Sequence, residues 1–165
     1  MDDFADWSIL RKASRKFLEP WEPAWNEDEF KRSNFRYRLH AYNKLSEEER
    51  SQALFVFQAS SNKLIGAVNL SNIRHGIAMT ATLGYWIAEP YTKQGYMTEA
   101  LQTLLAYCFG DLELHRVEAA CLPSNTASIA LLKKCGFEQE GYAKSYLKIA
   151  GQWQDHLLFA LLKTQ

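Results

Sequence analysis

The sequence predicts a mixed α/β domain, and three observations carry that prediction. Hydrophobic periodicity is helical at the front, where Trp7, Leu10, Ser14 and Phe17/Leu18 share a face, and becomes strand-like from Ala53 onward. Two apolar runs, Ala53–Phe57 and Leu64–Ile73, flank the turn segment Ser60-Ser61-Asn62-Lys63, the pattern of an antiparallel hairpin. The middle of the chain then reads strand, helix, strand, helix, strand.

Each element has a local reason. The first helix, from about Asp6 to Leu18, is broken by Glu19-Pro20-Trp21-Glu22-Pro23, because proline disfavours helix in the residue before it. A second helix, from about Asp28 to Leu45, carries Phe30, Tyr37, Ala41 and Leu45 along one side. Glu27–Lys31 and Asp28–Arg32 are four-residue pairs of the favourable order. Its basic cluster, Lys31, Arg32, Arg36 and Arg38, reads as a solvated face or as a rim that greets an acidic substrate or cofactor phosphates. In the hairpin, Gly66 marks a bulge position. Thr82–Ala88 is a third strand, stopped by Glu89-Pro90. A helix from about Thr98 to Phe109 puts Met97, Leu101, Leu104/Leu105 and Cys108 on its core face. His115–Leu122 alternates as a strand, with Val117, Ala119 and Cys121 opposite Arg116, Glu118 and Ala120. Ser124-Asn125-Thr126 caps a helix that ends at Gly136, a glycine suited to a left-handed stop. Strands near Phe137–Tyr142, Tyr146–Ile149 and Trp153–Leu162 close the chain around the turn Ala150-Gly151-Gln152.

Composition narrows the function classes. The length of 165 residues fits one domain, residues 1–165, on the usual scale of roughly 150 residues each. Lys+Arg and Asp+Glu both number 19, which argues against general nucleic-acid binding or attraction to an anionic membrane. With 47% hydrophobic and 23% charged residues the chain is too apolar and too mixed in sign to be disordered. Met1-Asp2-Asp3-Phe4-Ala5-Asp6 is acidic where a secretory signal needs a basic start, so a cytoplasmic protein is expected. Cys108, Cys121 and Cys135 are odd in number and widely spaced, and the four histidines share no ligand spacing. The three thiols read as small core side chains, and no metal is expected.

The chemistry-bearing stretch runs from Leu83 to Leu101. A strand ends, the turn Thr92-Lys93-Gln94-Gly95-Tyr96-Met97 follows, and an amphipathic helix begins. Free main-chain N–H groups and the positive end of a helix dipole converge there, which suits pyrophosphate. Neither a Gly-x-x-x-x-Gly-Lys-Ser/Thr loop nor a Gly-x-Gly-x-x-Gly fingerprint occurs. The second half adds His115-Arg116-Val117-Glu118-Ala119, then Pro123-Ser124-Asn125-Thr126-Ala127-Ser128, then Leu132-Lys133-Lys134-Cys135-Gly136-Phe137. With these segments the sequence resembles the GNAT N-acetyltransferase superfamily, in the RimJ/RimL-type branch that acetylates the N-termini of ribosomal proteins. Phe17-Leu18-Glu19-Pro20-Trp21-Glu22-Pro23 is similar to that branch's first-helix segment. Gly141-Tyr142-Ala143-Lys144 and Gly151-Gln152-Trp153-Gln154-Asp155-His156 are similar to its closing strands. Within the branch the chain is most similar to members acting on the N-terminal alanine of a small-subunit ribosomal protein.

The resemblance implies a GNAT fold: a central, mostly antiparallel twisted sheet splayed in the middle and flanked by about four helices. The family's first strand has no counterpart before the first helix here, which would leave a sheet edge exposed or covered by residues outside this chain. It implies acetyl-CoA as co-substrate, with its pyrophosphate on the amides of Gln94, Gly95, Tyr96 and Met97, and with Lys93 and Thr98 beside it. The pantetheine arm would run as a pseudo-strand between Tyr85-Trp86-Ile87-Ala88 and Arg116–Cys121. Asn125 and Ser128 match the branch's Asn-x-x-Ser, in which the amide holds the cofactor arm and the hydroxyl faces the sulfur. Asn125 also reads as a plain helix cap, and Ser128 as a polar first-turn residue. Thr92 departs from the family's leading Arg/Gln, and Lys93 would compensate with a charge toward a phosphate.

The expected reaction is direct attack of a neutral amine on the thioester, with a main-chain N–H of the Tyr85–Ala88 strand as oxyanion donor. Ser128 is the better candidate to protonate the thiolate, ahead of Tyr142. Glu118 is the first candidate base because its strand borders the cleft, unless its side chain turns to the opposite face. His156 and Asp155 rank behind it. The implied acceptor is the N-terminal peptide of a ribosomal protein, and a monomer or weak homodimer is expected. A small-molecule amine acetyltransferase and an acetyl-CoA-binding module without turnover remain as alternatives.

Overall fold

A computed structural model describes residues 3–163. The first element is helix α1, Phe4–Ala13, and a short α2, Arg15–Leu18, continues it after a break at Ser14. The sequence predicts one helix here. The break has a partner: Ser14 is fully buried and its hydroxyl accepts from the Glu89 N–H at 3.2 Å. A single 3₁₀ turn, Glu19–Trp21, follows, with Pro20 inside it where a missing N–H costs nothing.

Helix α3 spans Arg32–Glu47 and starts four residues later than expected. Asp28 is held outside it, accepting from the Lys31 N–H and the Asn34 side chain through its carbonyl. The expected apolar face is also rotated. Phe35 is the buried residue and Leu39 packs beside it, while Tyr37 is 73% exposed. Phe35 joins Trp7 and Leu64 in a small aromatic-rich core, with Phe4 edge-on to it at 5.3 Å. Lys31, Arg32 and Arg36 are solvated, as in the simpler of the two readings. Arg38 instead folds over the Trp7 ring and bonds Glu29.

Strands β1 (Gln52–Gln58), β2 (Lys63–Arg74), β3 (Thr80–Ile87), β4 (Arg116–Cys121), β5 (Glu138–Ile149) and β6 (Gln152–Leu162) form one sheet in the order β1-β2-β3-β4-β6-β5. All pairings are antiparallel except β3–β4. The bulge expected at Gly66 is present: Val56 pairs Gly66 but Phe57 pairs Leu64, which leaves Ile65 as the extra residue. A Cβ on Gly66 would stand 2.4 Å from the Trp86 carbonyl oxygen, so the close approach of β2 to β3 requires glycine there. The two strands expected across residues 137–149 are one strand. The interval between them is a bulge, with the register shifting between Ala143 and Leu147 and Ser145 at φ 46°. Ala150 and Gly151, both at positive φ, close the β5–β6 hairpin in the two-residue form that matches strand twist.

Helices α4 (Tyr96–Phe109) and α5 (Thr126–Lys134) cover one face of the sheet. The face predicted for α4 holds: Met97, Leu101, Leu104, Leu105 and Cys108 are all buried, packed with Leu83, Val117 and Phe159. The α1–α3 segment and its aromatic core lie over β1 to β3 on the other face. Among the described residues no helix is long and apolar enough to cross a membrane, and no cluster of three His, Cys, Asp or Glu side chains forms a metal-binding group.

Candidate active site

β3 and β4 are paired only over Thr80–Thr82 against Arg116–Glu118. Beyond that point both strands continue without pairing each other, so the sheet opens between Leu83–Ile87 and Ala119–Cys121. A cleft of about 730 Å³ fills the opening. The start of α4, the start of α5 and the Phe17–Glu22 segment complete its lining.

The register of the β2–β3 ladder decides which main-chain groups face the cleft. Ala88 N–H bonds the Ile65 carbonyl at 2.9 Å, so this opposed pair is a hydrogen-bonded one. Pairs alternate along an antiparallel ladder, so Trp86 opposite Ala67 is also bonded, while Ile87 opposite Gly66 and Tyr85 opposite Val68 are not. The N–H and C=O groups of Leu83, Tyr85 and Ile87 therefore face the gap, as the free edge of a strand. This corrects the placement of Ala88, whose N–H is committed to β2 and whose residue is fully buried outside the cleft lining. Trp86 lines the cleft, with its indole 4.9 Å from the Arg11 guanidinium.

At the α4 end, Gly95 is the N-cap at φ 90° and makes no side-chain cap. The Tyr96, Met97 and Thr98 N–H groups have no intrahelical acceptor, and no other acceptor reaches them among the described residues. Nothing lies within 4 Å of where a Gly95 Cβ would stand, so the approach to these donors is open. Lys93, also at positive φ (58°), is two residues before Gly95 and lines the cleft, as does Lys134, the last residue of α5. Free amides at a helix start with a lysine beside them are a donor set for a pyrophosphate. The Tyr96 hydroxyl is anchored by Gln58 Nε2 at 2.5 Å, a contact across the sheet that no local pattern signals. The Gln94 side chain donates to the Pro90 carbonyl and does not line the cleft, while its main-chain N–H, the group expected to meet the phosphate, has no acceptor among the described residues. Thr92 likewise donates its hydroxyl to the Glu89 carbonyl.

At the α5 start, Asn125 Oδ1 accepts from the Ser128 N–H at 3.1 Å. The cap reading of Asn125 is therefore present, and its Nδ2 is left without a partner among the described residues. Ser128 Oγ lies 2.5 Å from the Tyr85 hydroxyl, bridging α5 to β3 across the cleft. Burial pushes the Tyr85 phenol far above its ordinary range, against the lowering effect of the Ser128 bond, so it stays protonated at neutral pH. Burial also pushes up the Cys121 thiol, which lines the cleft nearby.

Glu118 is not brought to the cleft. It sits opposite Thr82, where β3 and β4 are still paired, and accepts from Arg116 Nε at 2.8 Å with Arg74 also near. Arg116 in turn pairs with Glu140, closing a surface charge network. Alternation along β4 turned the residue to the expected side of the strand, but the wrong end of the splay. Asp155 and Tyr142 bond each other on the exposed rim of a second groove, of about 560 Å³, which shares Trp21, Leu122 and Ser124 with the main cleft. His156, 2% exposed, lines the main cleft. Tyr85 lines it too, on the strand expected to border the cofactor arm; the role of its hydroxyl was not anticipated. Glu22 and Lys134 also line it and were missed by sequence reasoning.

Residues 1–138 match the family described as the acetyltransferase (GNAT) domain. Over 148 residues the chain is 38% identical to the [ribosomal protein uS5]-alanine N-acetyltransferase of Escherichia coli, covering 90% of this chain and 76% of that one. Over 153 residues it is 35% identical to the probable N-acetyltransferase YjcK of Bacillus subtilis, covering 93% and 84%. The solved structure of Mycobacterium smegmatis RimJ in complex with CoA-disulfide superposes with a TM-score of 0.90 at 36% identity, over 98% of this chain and 78% of that chain.

Proposed function

The chain belongs to the GNAT acetyltransferase family, and on that premise we propose that residues 1–165 act as one cytoplasmic N-terminal acetyltransferase domain whose acceptor is the α-amine of a ribosomal-protein peptide beginning with alanine. One observation carries the peptide reading. The main cleft shares Trp21, Leu122 and Ser124 with the second groove, so chain following an acceptor's first residue has a surface to lie on. A pocket for a small amine needs no such extension.

Acetyl-CoA supplies a thioester carbonyl open to attack by a neutral amine. The amides of Gly95 to Thr98, with Lys93, bind its phosphates. The free edge of β3 at Leu83, Tyr85 and Ile87 pairs with the amide-bearing arm, and the Asn125 Nδ2 donates to it from the opposite wall. The Ile87 N–H, facing the gap near the strand end, is the donor placed for negative charge developing on the carbonyl oxygen. Ser128 Oγ–H donates a hydrogen bond to the departing sulfur, and the Tyr85 hydroxyl orients Ser128.

The choice of acceptor has a chemical basis. An α-amine with a pKa of ~8 is roughly 10% neutral at pH 7, whereas a lysine at ~10.4 is about 0.04% neutral. That difference, ~3 kcal/mol, makes an N-terminal amine workable with a modest base. Incubating the protein with acetyl-CoA and a short alanine-starting ribosomal peptide, followed by mass spectrometry, tests the reading. Acetylation of the peptide's α-amine is expected. Transfer only to small amines, or CoA binding with no transfer to any amine, would overturn it.

A further inference from the structure

The acetyl-transfer reading leaves open which group takes the proton from the amine, and we propose that His156 Nε2 does so, as a catalytic base on the opposite face of the sheet from Ser128. The inference rests on the proposed acetyl transfer but not on the identity of the amine.

Four observations converge. First, apart from the Cys108 and Cys121 thiols, which burial pushes up, only Arg11 and His156 are titratable among the buried side chains of the described residues, and Arg11 is bonded twice to Glu22, at 2.7 and 2.6 Å. Second, His156 Nδ1 lies 3.0 Å from the Gln154 carbonyl oxygen. A carbonyl can only accept, so Nδ1 carries the hydrogen, and the neutral ring keeps its lone pair on Nε2. Nε2 has no hydrogen-bond partner among the described residues, while the ring lines the cleft.

Third, the sheet register separates the two faces. Leu157 is opposite Cys121 and Phe159 is opposite Ala119, and these residues pack toward α4 and α5. His156, one residue along, is on the other side, the side of the Phe17–Glu22 segment. Ser128 and Tyr85 belong to the α4/α5 side. An amine entering past Trp21 and a sulfur lying against Ser128 would thus meet across the splay, with a proton acceptor on the amine's side and a hydrogen-bond donor on the sulfur's. Fourth, the ring is fixed edge-on to Tyr146 of β5, with centroids 5.8 Å apart.

The groups facing His156 leave it this role. Tyr146 presents its ring; Glu22 is held by Arg11; Asp155, its neighbour on β6, is bonded to Tyr142 and the Ser145 N–H; Cys121 lies on the far side of the sheet. Lys93 belongs to the phosphate-binding end, and Lys134 is the last residue of α5. The proton balance is simple. As the C–N bond forms and the C–S bond breaks, one proton passes from nitrogen to Nε2, and the sulfur departs as a thiolate that accepts a hydrogen bond from Ser128 Oγ–H. The imidazolium then releases its proton to solvent and the thiolate takes one up, which closes the balance.

His156→Asn tests this, because it retains a donor near the Nδ1 position and deletes Nε2. Transfer is measured with the alanine-starting peptide and, separately, with 2-phenylethylamine. The expected result is a kcat fall of about 100-fold or more on whichever amine the wild type uses, with loss of the acidic limb of the kcat–pH profile at saturating amine and unchanged CoA affinity by calorimetry. Turnover within about threefold of wild type with the same acidic limb would overturn it. Should His156→Asn fail to bind CoA, NMR titration of the wild-type His156 ring decides: its midpoint must coincide with the kinetic acidic limb, and a mismatch overturns the role. A wild type active only on 2-phenylethylamine defeats the peptide reading and leaves this inference standing.

Discussion

Tyr85 does two things at once: its main chain offers a free strand edge to the cleft, and its hydroxyl holds Ser128 at 2.5 Å. Tyr85→Phe keeps the ring and removes the bond. We expect kcat to fall about tenfold with the KM for acetyl-CoA little changed, because the serine is disoriented while the amides at α4 are untouched. The same variant has a pH signature. The folded-state phenol is raised above its unfolded value of 10.0, so its contribution to stability is present below that pH and is lost as pH rises above it. Urea denaturation of the wild type should therefore weaken above pH 10 more steeply than that of Tyr85→Phe. At this scale the sequence was partly legible. Asn125 and Ser128 stand where the motif places them, because both lie within one helix turn and local spacing sets their geometry. His156 lines the cleft and Glu118 does not, because which end of a strand reaches the splay depends on strands distant in sequence.

The β3–α4 junction is the element that makes the cofactor end. Lys93 at φ 58° and Gly95 at φ 90° turn the chain so that the first N–H groups of α4 emerge without a cap. Gly95→Ala meets no atom within 4 Å, so its cost is backbone strain alone, ~1–2 kcal/mol for a left-handed alanine. If that strain is relieved by unwinding the first turn of α4, the donors scatter. Calorimetry should then show CoA binding about tenfold weaker, which corresponds to ~1.4 kcal/mol, with the unfolding midpoint only modestly lowered. Helix α4 was legible in its core face and its end because its apolar repeat faces a single core, although it starts at Tyr96, two residues before the expected Thr98. Helix α3 was not. Its start was displaced by Asp28, and its buried face was chosen by Trp7 and Leu64, which contact it from other parts of the chain.

At the scale of the molecule, the acceptor wall is tied to the sheet by one partly buried charge pair. Arg11 of α1 donates twice to the Glu22 carboxylate and lies between the Trp25 and Trp86 rings, at 4.3 and 4.9 Å. Trp25 Nε1 donates to the same carboxylate at 2.8 Å. Glu22→Ala would leave the guanidinium, 8% exposed, without its counter-charge, a change worth ~3–5 kcal/mol in chemical denaturation. Adding Arg11→Met should cost less than it does in the wild-type background, since the orphaned charge is removed with its partner. The Ala150 N–H to Glu22 carbonyl bond, 2.9 Å, joins the same wall to the β5–β6 hairpin, so loosening it should also slow transfer.

What the sequence determined by itself was local: the periods of the strands and of α4, the cap and stop of α5, the glycine turn, and hence the family and its donor. These follow from side chains a few residues apart, whose relation is set by the backbone repeat. The tertiary structure alone decided which ends of β3 and β4 separate, which main-chain groups face the opening, and which of the candidate base residues is enclosed there. Each depends on the register between strands that are far apart in the chain. A one-residue step in that register exchanges the faces of a strand, which is why the Tyr85 hydroxyl contact with Ser128 and the enclosure of His156 follow only from the assembled sheet.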